Sequence, residues 1–206
     1  MFTGIIEDLG TIEKKLKSKI FISTILKDIK IGSSIAVNGV CLTAGNIEKK
    51  GSCYILDMDV MPETWKLSNL GFCNVKDKVN IERALALGQR INGHLIQGHV
   101  EEAGKIISIK KKDNAKLISI SCSKKSLENI SLKGSIALDG ISLTVMEKTN
   151  VFFTVSIIPE TWEKTVLHTK KIGSYVNIET DFLTKKDNKN TKGNITRNLL
   201  EREGFI

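Results

Sequence analysis

Short hydrophobic stretches, in which polar residues partly alternate with apolar ones, recur along the chain, and turn-forming residues separate them. Residues 20–26, 34–37, 115–121 and 151–157 are rich in β-branched side chains, which is typical of strands. Asn38-Gly39 directly follows one of these stretches, and Asn-Gly is a preferred pair for a tight hairpin turn. Several short strands at this spacing predict an all-β fold, either a closed barrel or a sandwich.

The chain also contains an internal duplication. Four phrases of the first half return in the same order in the second half: 4–10 as 98–104, 34–43 as 135–144, 61–65 as 158–162 and 79–82 as 176–179. The offsets lie between 94 and 101 residues, which is too long for a solenoid repeat. The pattern therefore predicts two copies of one β domain, at residues 1–93 and 94–183.

Three short helices are predicted. Two follow the repeated Pro-Glu-Thr-Trp phrase, because proline suits the first turn of a helix. The third covers residues 194–204, where Asn194 can cap the start and Gly204 can end the helix. A helix of this length is unstable alone, so we expect it to dock on another surface. A polar, lysine-rich linker precedes it, and together they form a C-terminal segment at residues 184–206.

Composition limits the classes of function. The net charge is +8, but the basic residues are scattered and only 5% of residues are aromatic, so we expect no nucleic-acid partner. We find no apolar run of membrane-spanning length and no secretory signal, which favours a cytoplasmic protein without a membrane partner. Four cysteines without a Cys-x-x-Cys pair predict reduced thiols and no zinc site.

Seven ordered blocks resemble riboflavin synthases of the α-chain type. They are residues 1–7 (Met-Phe-Thr-Gly-Ile-Ile-Glu), 37–43, 63–64, 69–71, 93–100 (Gly-His-Leu-Ile-Gln-Gly-His-Val), 139–145 and 158–161. The resemblance runs from Met1 to about Asp181, which is nearly the whole chain. It implies two tandem six-stranded antiparallel Greek-key β-barrels and a C-terminal helix that joins three chains. It also implies an active site between the first barrel of one chain and the second barrel of a neighbour.

The reaction implied by this resemblance consumes two molecules of 6,7-dimethyl-8-ribityllumazine. One molecule donates a four-carbon unit to the other, and neither a metal nor another cofactor takes part. The resemblance also implies an association with lumazine synthase, but no residue or motif of the sequence itself indicates it. A rival interpretation is a non-catalytic lumazine- or flavin-binding protein of the same fold, which needs only one good pocket.

The two substrate molecules play different roles, so the two halves should differ where they bind. His99 aligns with Ile5, and Ser142 aligns with Cys41. His99 is the first candidate for proton transfer, because imidazole titrates near neutral pH; the alternative is a hydrogen-bonded strand histidine. Ser142 and Thr144 share one strand face, where they either contact the pteridine and relay a proton with His99 or simply face solvent.

Cys41 is a predicted pocket residue, and it either acts as a nucleophile or is an unreactive half-buried thiol. The resemblance assigns substrate contacts to stretches of both halves, and in the first half it groups residues 4–6 with residues 41–43. The full set is Gly4, Ile5, Ile6, Cys41, Leu42, Thr43, Asp59, Val60, Met61, Pro62, Glu63, Thr64, Gly98, His99, Val100, Lys133, Ser142, Leu143, Thr144, Ile158, Pro159, Glu160, Thr161, Trp162 and Glu163.

Overall fold

The computed structural model describes residues 1–184, which form two closed barrels of six antiparallel strands each. The first barrel contains β1 (Asp8–Lys15), β2 (Lys19–Thr24), β3 (Ser34–Val37), β4 (Val40–Lys50), β5 (Cys53–Asp59), helix α1 (Pro62–Leu67), a 3₁₀ turn (Asn69–Gly71) and β6 (Lys78–Arg83). The second contains β7 (Glu102–Lys112), β8 (Ala115–Ser121), helix α2 (Lys124–Asn129), β9 (Ser135–Leu138), β10 (Ile141–Lys148), β11 (Phe152–Ile157), helix α3 (Pro159–Lys164), a 3₁₀ turn (Val166–Thr169) and β12 (Tyr175–Thr180).

Both barrels have the same strand order. Around the first barrel the order is β1-β2-β5-β4-β3-β6, and around the second it is β7-β8-β11-β10-β9-β12. Each order combines adjacent hairpins with a longer return connection, as in a Greek key. The predicted duplication and all-β fold are confirmed. Of the two predicted alternatives, the structure shows barrels and not a sandwich, because both sheets close.

An aliphatic core fills each barrel. In β2, the buried Ile20 and Ile22 alternate with partly exposed residues such as Phe21, and in β8 Ile118 and Ile120 repeat the arrangement. Burying one such side chain contributes roughly 1.5–3 kcal/mol. The period-two pattern read from the sequence is therefore the pattern that points isoleucines into each barrel.

Side-chain acceptors set two strand ends differently from the prediction. The strand predicted at residues 20–26 ends at Thr24, because the Asp8 carboxylate accepts the hydroxyl of Thr24 and the amide of Ile25. The strand predicted from residue 151 begins at Phe152, because the Thr149 hydroxyl accepts the amides at residues 151 and 152. Local polar bonds thus compete with the sheet for backbone donors.

The two short helices are confirmed, but α1 and α3 begin at Pro62 and Pro159 and so contain the Pro-Glu-Thr-Trp phrases instead of following them. No helix among residues 1–184 is long and apolar enough to cross a membrane. The four cysteines are free thiols. The predicted linker and the predicted helix at residues 194–204 lie outside the described residues, so the C-terminal segment stays a prediction.

The barrels meet through their hairpin turns. Asn38 and Asp139 both have a φ of 47°, and the following Gly39 and Gly140 have φ of 77° and 78°. Two successive left-handed residues make a type I′ turn, as Asn-Gly and Asp-Gly predict. A β-carbon on Gly39 would lie 2.6 Å from the Gly140 nitrogen, so the turns pack backbone to backbone.

Two buried asparagines tie each barrel to the turn of the other. The Asn80 side chain in β6 donates to the Asp139 carbonyl oxygen at 2.9 Å. The Asn177 side chain in β12 donates to the Asn38 carbonyl oxygen at 2.7 Å. These mirrored bonds relate the barrels by an approximate two-fold axis. They also fix the relative position of the barrels, because leaving such a group unpaired would cost about 1–3 kcal/mol.

Candidate active site

Two irregular segments precede the first strands of the barrels, and we call residues 2–6 the first leader and residues 96–100 the second leader. They run antiparallel to each other. The Phe2 amide donates to the Ile96 carbonyl oxygen at 2.7 Å, and the Ile96 amide donates back to Phe2 at 3.0 Å. Both side chains are buried, so the leaders form a small third core between the barrels.

Each leader crosses to the barrel of the other half. The Gly4 carbonyl oxygen accepts the Ser142 amide at 2.9 Å, and the Gly98 carbonyl oxygen accepts the Cys41 amide at 2.9 Å. We call Cys41, Thr43 and the second leader the first face. Ser142, Thr144 and the first leader are the second face. Each face therefore combines a strand from one half with a leader from the other half.

This crossing corrects the predicted grouping of substrate contacts. We grouped residues 4–6 with residues 41–43 in the first barrel, whereas Gly4 lies against Ser142 of β10. The cores follow the same rule, because Ile6 packs against the core of the second barrel and Val100 against that of the first. The role of these residues as substrate contacts stays a prediction.

The predicted strand residues point outward as a pair in each half. Cys41 and Ser142 are half-buried, Thr43 and Thr144 are exposed, and the residues between them point into the cores. A shared face was predicted for Ser142 and Thr144, and the alternating burial confirms it. Cys41 also contacts the small core of Phe2 and Ile96 between the barrels.

Strand register brings the next predicted stretches beside these pairs. Ala44 of β4 is opposite Met58 of β5, which places Asp59 next to Thr43. Val145 of β10 is likewise opposite Val155 of β11, so the end of β11 and the start of α3 approach Ser142. The residues predicted at 59–64 and 158–163 therefore border the first and second faces.

A hydrogen bond joins the second face to a histidine that sequence analysis did not select. His94 Nδ1 lies 2.7 Å from the Ser142 hydroxyl oxygen, and the His94 amide donates to the Thr3 carbonyl oxygen at 3.1 Å. Burial lowers the pKa of His94 below its ordinary value of 6.5, and the Asp181 carboxylate opposes this shift. A neutral imidazole has one donor and one acceptor, so it can orient the hydroxyl. The predicted partner of Ser142 was His99.

His99 lies in the second leader with an exposed side chain. Neither His94 nor His99 lies in a strand. The backbone amide of His99 donates to the Glu179 carboxylate at 2.9 Å. Residues 1–184 contain no group of three or more histidine, cysteine or acidic side chains arranged to hold a metal.

Two buried glutamates hold the leaders, and neither was predicted as a site residue. Glu82 in β6 accepts the amides of Thr3 and Gly4, and Glu179 in β12 accepts those of Gln97 and Gly98. Burial raises the pKa of Glu82, and the bonds from Thr3 and Gly4 oppose that shift. A signal was present, since both glutamates end the repeated phrase Val-Asn-Ile-Glu.

Several other predicted contacts lie at the surface. Lys133 is exposed, with a left-handed φ of 64°. Glu160 pairs with Lys164 at 2.8 Å within α3. The Trp162 ring lies 4.8 Å from the Lys116 ammonium. These groups are accessible to a ligand or to another chain, and their role in binding stays a prediction.

A separate cleft of about 560 Å³ opens beside the first leader. Its walls include Ile5, Ser34, Glu82, Arg83 and Arg90. The volume is in the range of small-molecule sites. Of the predicted contacts, only Ile5 lines the cleft, so the cleft adjoins the leader and is distinct from the strand pairs of both faces.

Comparison with known proteins agrees with the duplication. The family model of the lumazine binding domain matches twice, over residues 3–84 and 97–181. Riboflavin synthase of Bacillus subtilis (strain 168) is 41% identical, with 100% of both chains covered. Riboflavin synthase of Schizosaccharomyces pombe is 36% identical, covering 95% of this chain and 96% of the relative.

Solved structures show the same fold. LumP complexed with 6,7-dimethyl-8-(1'-D-ribityl) lumazine superposes with a TM-score of 0.77 at 24% identity, covering 88% of this chain and 99% of LumP. LumP complexed with riboflavin has the same TM-score and identity and is covered completely. The full-length sequence relatives and the two matched domains show that the chain belongs to the riboflavin synthase family, with one lumazine-binding domain in each half.

Proposed function

We propose that the chain catalyses the riboflavin synthase reaction, in which a four-carbon unit passes between two molecules of 6,7-dimethyl-8-ribityllumazine. The products are riboflavin and 5-amino-6-(D-ribitylamino)uracil, and this step completes riboflavin biosynthesis. The enzyme is a transferase. The observation that carries the proposal is the full-length identity to riboflavin synthases, supported by a lumazine-binding domain in each half.

The paired faces suit a reaction that uses one compound twice. Cys41 and Thr43 on β4 correspond to Ser142 and Thr144 on β10, so the chain presents two similar cradles for two identical ring systems. Holding both molecules in a reactive orientation can lower a bimolecular barrier by about 7–11 kcal/mol. The small differences between the faces then assign one molecule as donor and the other as acceptor.

Proton transfer falls to the polar groups of the faces. The 7-methyl group of the lumazine is acidic because its anion delocalises into the ring, and His99 is exposed and free to reach such a group. Ser142 contributes a hydroxyl that neutral His94 orients. Thr144 and Cys41 contact the rings, and the substrate itself supplies the reactive carbon atoms.

A homotrimer completes the active site in this proposal. The first face of one chain stacks on the second face of a neighbour, and the C-terminal helices join the three chains. Support comes from the outward orientation of Thr43 and Thr144, which leaves both faces accessible to another chain. Light scattering should give three times the mass of one chain, and a monomeric mass would contradict the assembly.

Mixing of two inactive variants tests whether the site lies between chains. Thr43→Arg blocks the first face and Thr144→Arg blocks the second, so each homotrimer should be inactive. After unfolding and refolding together, about one quarter of the inter-chain sites combine two intact faces, and activity should return accordingly. If both faces of a site came from one chain, mixing would restore nothing.

Location and partners complete the proposal. We place the enzyme in the cytoplasm, where the free cysteines stay reduced. We also propose an association with lumazine synthase, which would deliver substrate close to the faces. Co-sedimentation of the two purified proteins tests this association, and independent sedimentation at micromolar concentration would contradict it.

Turnover separates the enzyme from a binding protein of the same fold. Purified chain and 6,7-dimethyl-8-ribityllumazine should yield riboflavin with a stoichiometry of two lumazines per flavin, followed by fluorescence and chromatography. His99→Ala should slow single-turnover formation of riboflavin by about 10²-fold or more, as expected for a lost general base. Tight binding without product would support the non-catalytic alternative.

A further inference from the structure

Glu82 is a buried carboxylate of β6 that holds the first leader. Its Oε1 accepts the Thr3 amide at 2.7 Å and the Thr3 hydroxyl at 2.8 Å, and its Oε2 accepts the Gly4 amide at 3.1 Å. Glu82 is only 4% exposed. Three hydrogen bonds to a buried carboxylate are strong constraints on a segment that belongs to no strand.

Glu179 of β12 repeats this arrangement on the second leader. Its Oε1 accepts the Gln97 amide at 2.7 Å, and its Oε2 accepts the amides of Gly98 and His99, both at 2.9 Å. Glu179 is also only 4% exposed. The two glutamates therefore occupy equivalent places in the two halves.

We infer that Glu82 positions the second face and Glu179 positions the first face, each from the opposite barrel. Glu82 fixes Gly4, whose carbonyl oxygen accepts the amide of Ser142 on β10. Glu179 fixes Gly98, whose carbonyl oxygen accepts the amide of Cys41 on β4. Both are positioning residues, and the inference rests on the proposed function, since it assumes that each face binds one lumazine or flavin.

Close packing makes both faces sensitive to the leaders. A β-carbon on Gly4 would lie 2.5 Å from the Ser142 nitrogen, and one on Gly98 would lie 2.5 Å from the Cys41 β-carbon. The leaders thus touch the outward strand residues without spare room. A carboxylate only accepts hydrogen bonds, so Glu→Gln turns an amide NH₂ toward a backbone N–H. The leader must shift to relieve that contact, and the face that it borders changes shape.

The two tryptophans allow each face to be observed separately. Trp65 follows the stretch that borders the first face, and Trp162 lies in the stretch that borders the second. With 5-fluorotryptophan, the full chain gives two ¹⁹F resonances, which Trp65→Phe and Trp162→Phe assign. Titration of the parent chain with riboflavin should shift both resonances, and each shift gives the Kd of its own face.

Glu82→Gln should weaken riboflavin binding about tenfold at the Trp162 resonance while the Kd at Trp65 changes less than about twofold. Glu179→Gln should give the reverse pattern. Glu82→Asp and Glu179→Asp keep the acceptor charge and should restore part of the affinity. Glu13→Gln in β1 and Glu147→Gln in β10 are matched controls away from both leaders and should leave both values unchanged.

The crossed pattern separates positioning from general support of a barrel. If Glu82→Gln weakened binding at Trp65, or at both tryptophans equally, Glu82 would merely support the fold and the inference would be overturned. Circular dichroism and the second, unaffected resonance show whether each variant is folded. A parent chain in which riboflavin shifts neither resonance would instead overturn the proposed function, and the inference with it.

Discussion

The imidazole of His94 lies 2.7 Å from the hydroxyl of Ser142, although the two residues are 48 positions apart in the chain. The contact joins the segment between β6 and β7 to the outward side of β10. Burial lowers the pKa of the imidazole below its ordinary 6.5, which favours the neutral form. In the first half, Cys41 occupies the position equivalent to Ser142 and has a thiol in place of the hydroxyl. The hydrogen-bonded pair of His94 and Ser142 is therefore one physical difference between the two faces.

The free energy of unfolding should decrease as the pH is lowered, because of His94. Its pKa in the folded chain is below the ordinary 6.5, so the unfolded chain binds the proton first as the pH drops. The free energy of unfolding, measured with urea, should therefore decrease from about pH 6.5 downward and level off above it. His94→Asn should remove this part of the pH dependence, whereas Ser142→Ala should retain it. A parent and a His94→Asn chain with identical pH profiles would contradict the assignment.

Catalysis should depend on His94 and Ser142 as one unit. Each single variant, His94→Asn or Ser142→Ala, should lower kcat by about tenfold. The first removes the imidazole that orients the hydroxyl, and the second removes the hydroxyl itself. The double variant should be little slower than either single variant. Steady-state kinetics of the four proteins measure the coupling, and multiplied single effects would show that the two groups act independently.

Gly98→Ala should destabilise the chain more than Gly32→Ala. Both glycines have left-handed φ, 84° and 87°, but nothing lies within 4 Å of a β-carbon at Gly32. Gly32→Ala therefore measures the backbone strain alone, about 1–2 kcal/mol. Gly98→Ala adds the contact with Cys41 and should cost roughly 1–3 kcal/mol more. Equal unfolding free energies for the two variants would show that the second leader has room to move.

The stability of the chain should depend on Lys170, which compensates the charge of the buried Asp139 carboxylate. The ammonium lies 3.4 Å from Asp139 Oδ2, which has no hydrogen-bond partner among the described residues. Lys170→Met should cost about 3–5 kcal/mol, because it leaves an uncompensated buried charge. Asp139→Asn combined with Lys170→Met should recover much of that loss, since asparagine is the residue of the equivalent turn at Asn38. Chemical denaturation of the parent chain and these two variants tests the prediction, and a double variant less stable than Lys170→Met would contradict it.

Local patterns were sufficient for the strands, the turns and the duplication. Ile20 and Ile22 are buried at every second position of β2, and Asn38-Gly39 has the residues that a type I′ turn requires. The strand ends at Thr24 and Phe152 were not predicted correctly. At these ends, backbone N–H groups donate to polar side chains, either distant in the chain or neighbouring, instead of to an adjacent strand. The glutamates that hold the leaders stood in a repeated phrase, but no local rule says which amides a buried carboxylate will accept.

The repeat and its alternating residues dictate two similar barrels, because side-chain periodicity and turn conformation are properties of neighbouring residues. Which residues share a face was decided by the tertiary structure. Gly4 meets Ser142 and Gly98 meets Cys41 only because the leaders cross between barrels that the Asn80 bonds hold together. Such contacts join segments far apart in the chain, and their geometry depends on how both closed barrels pack.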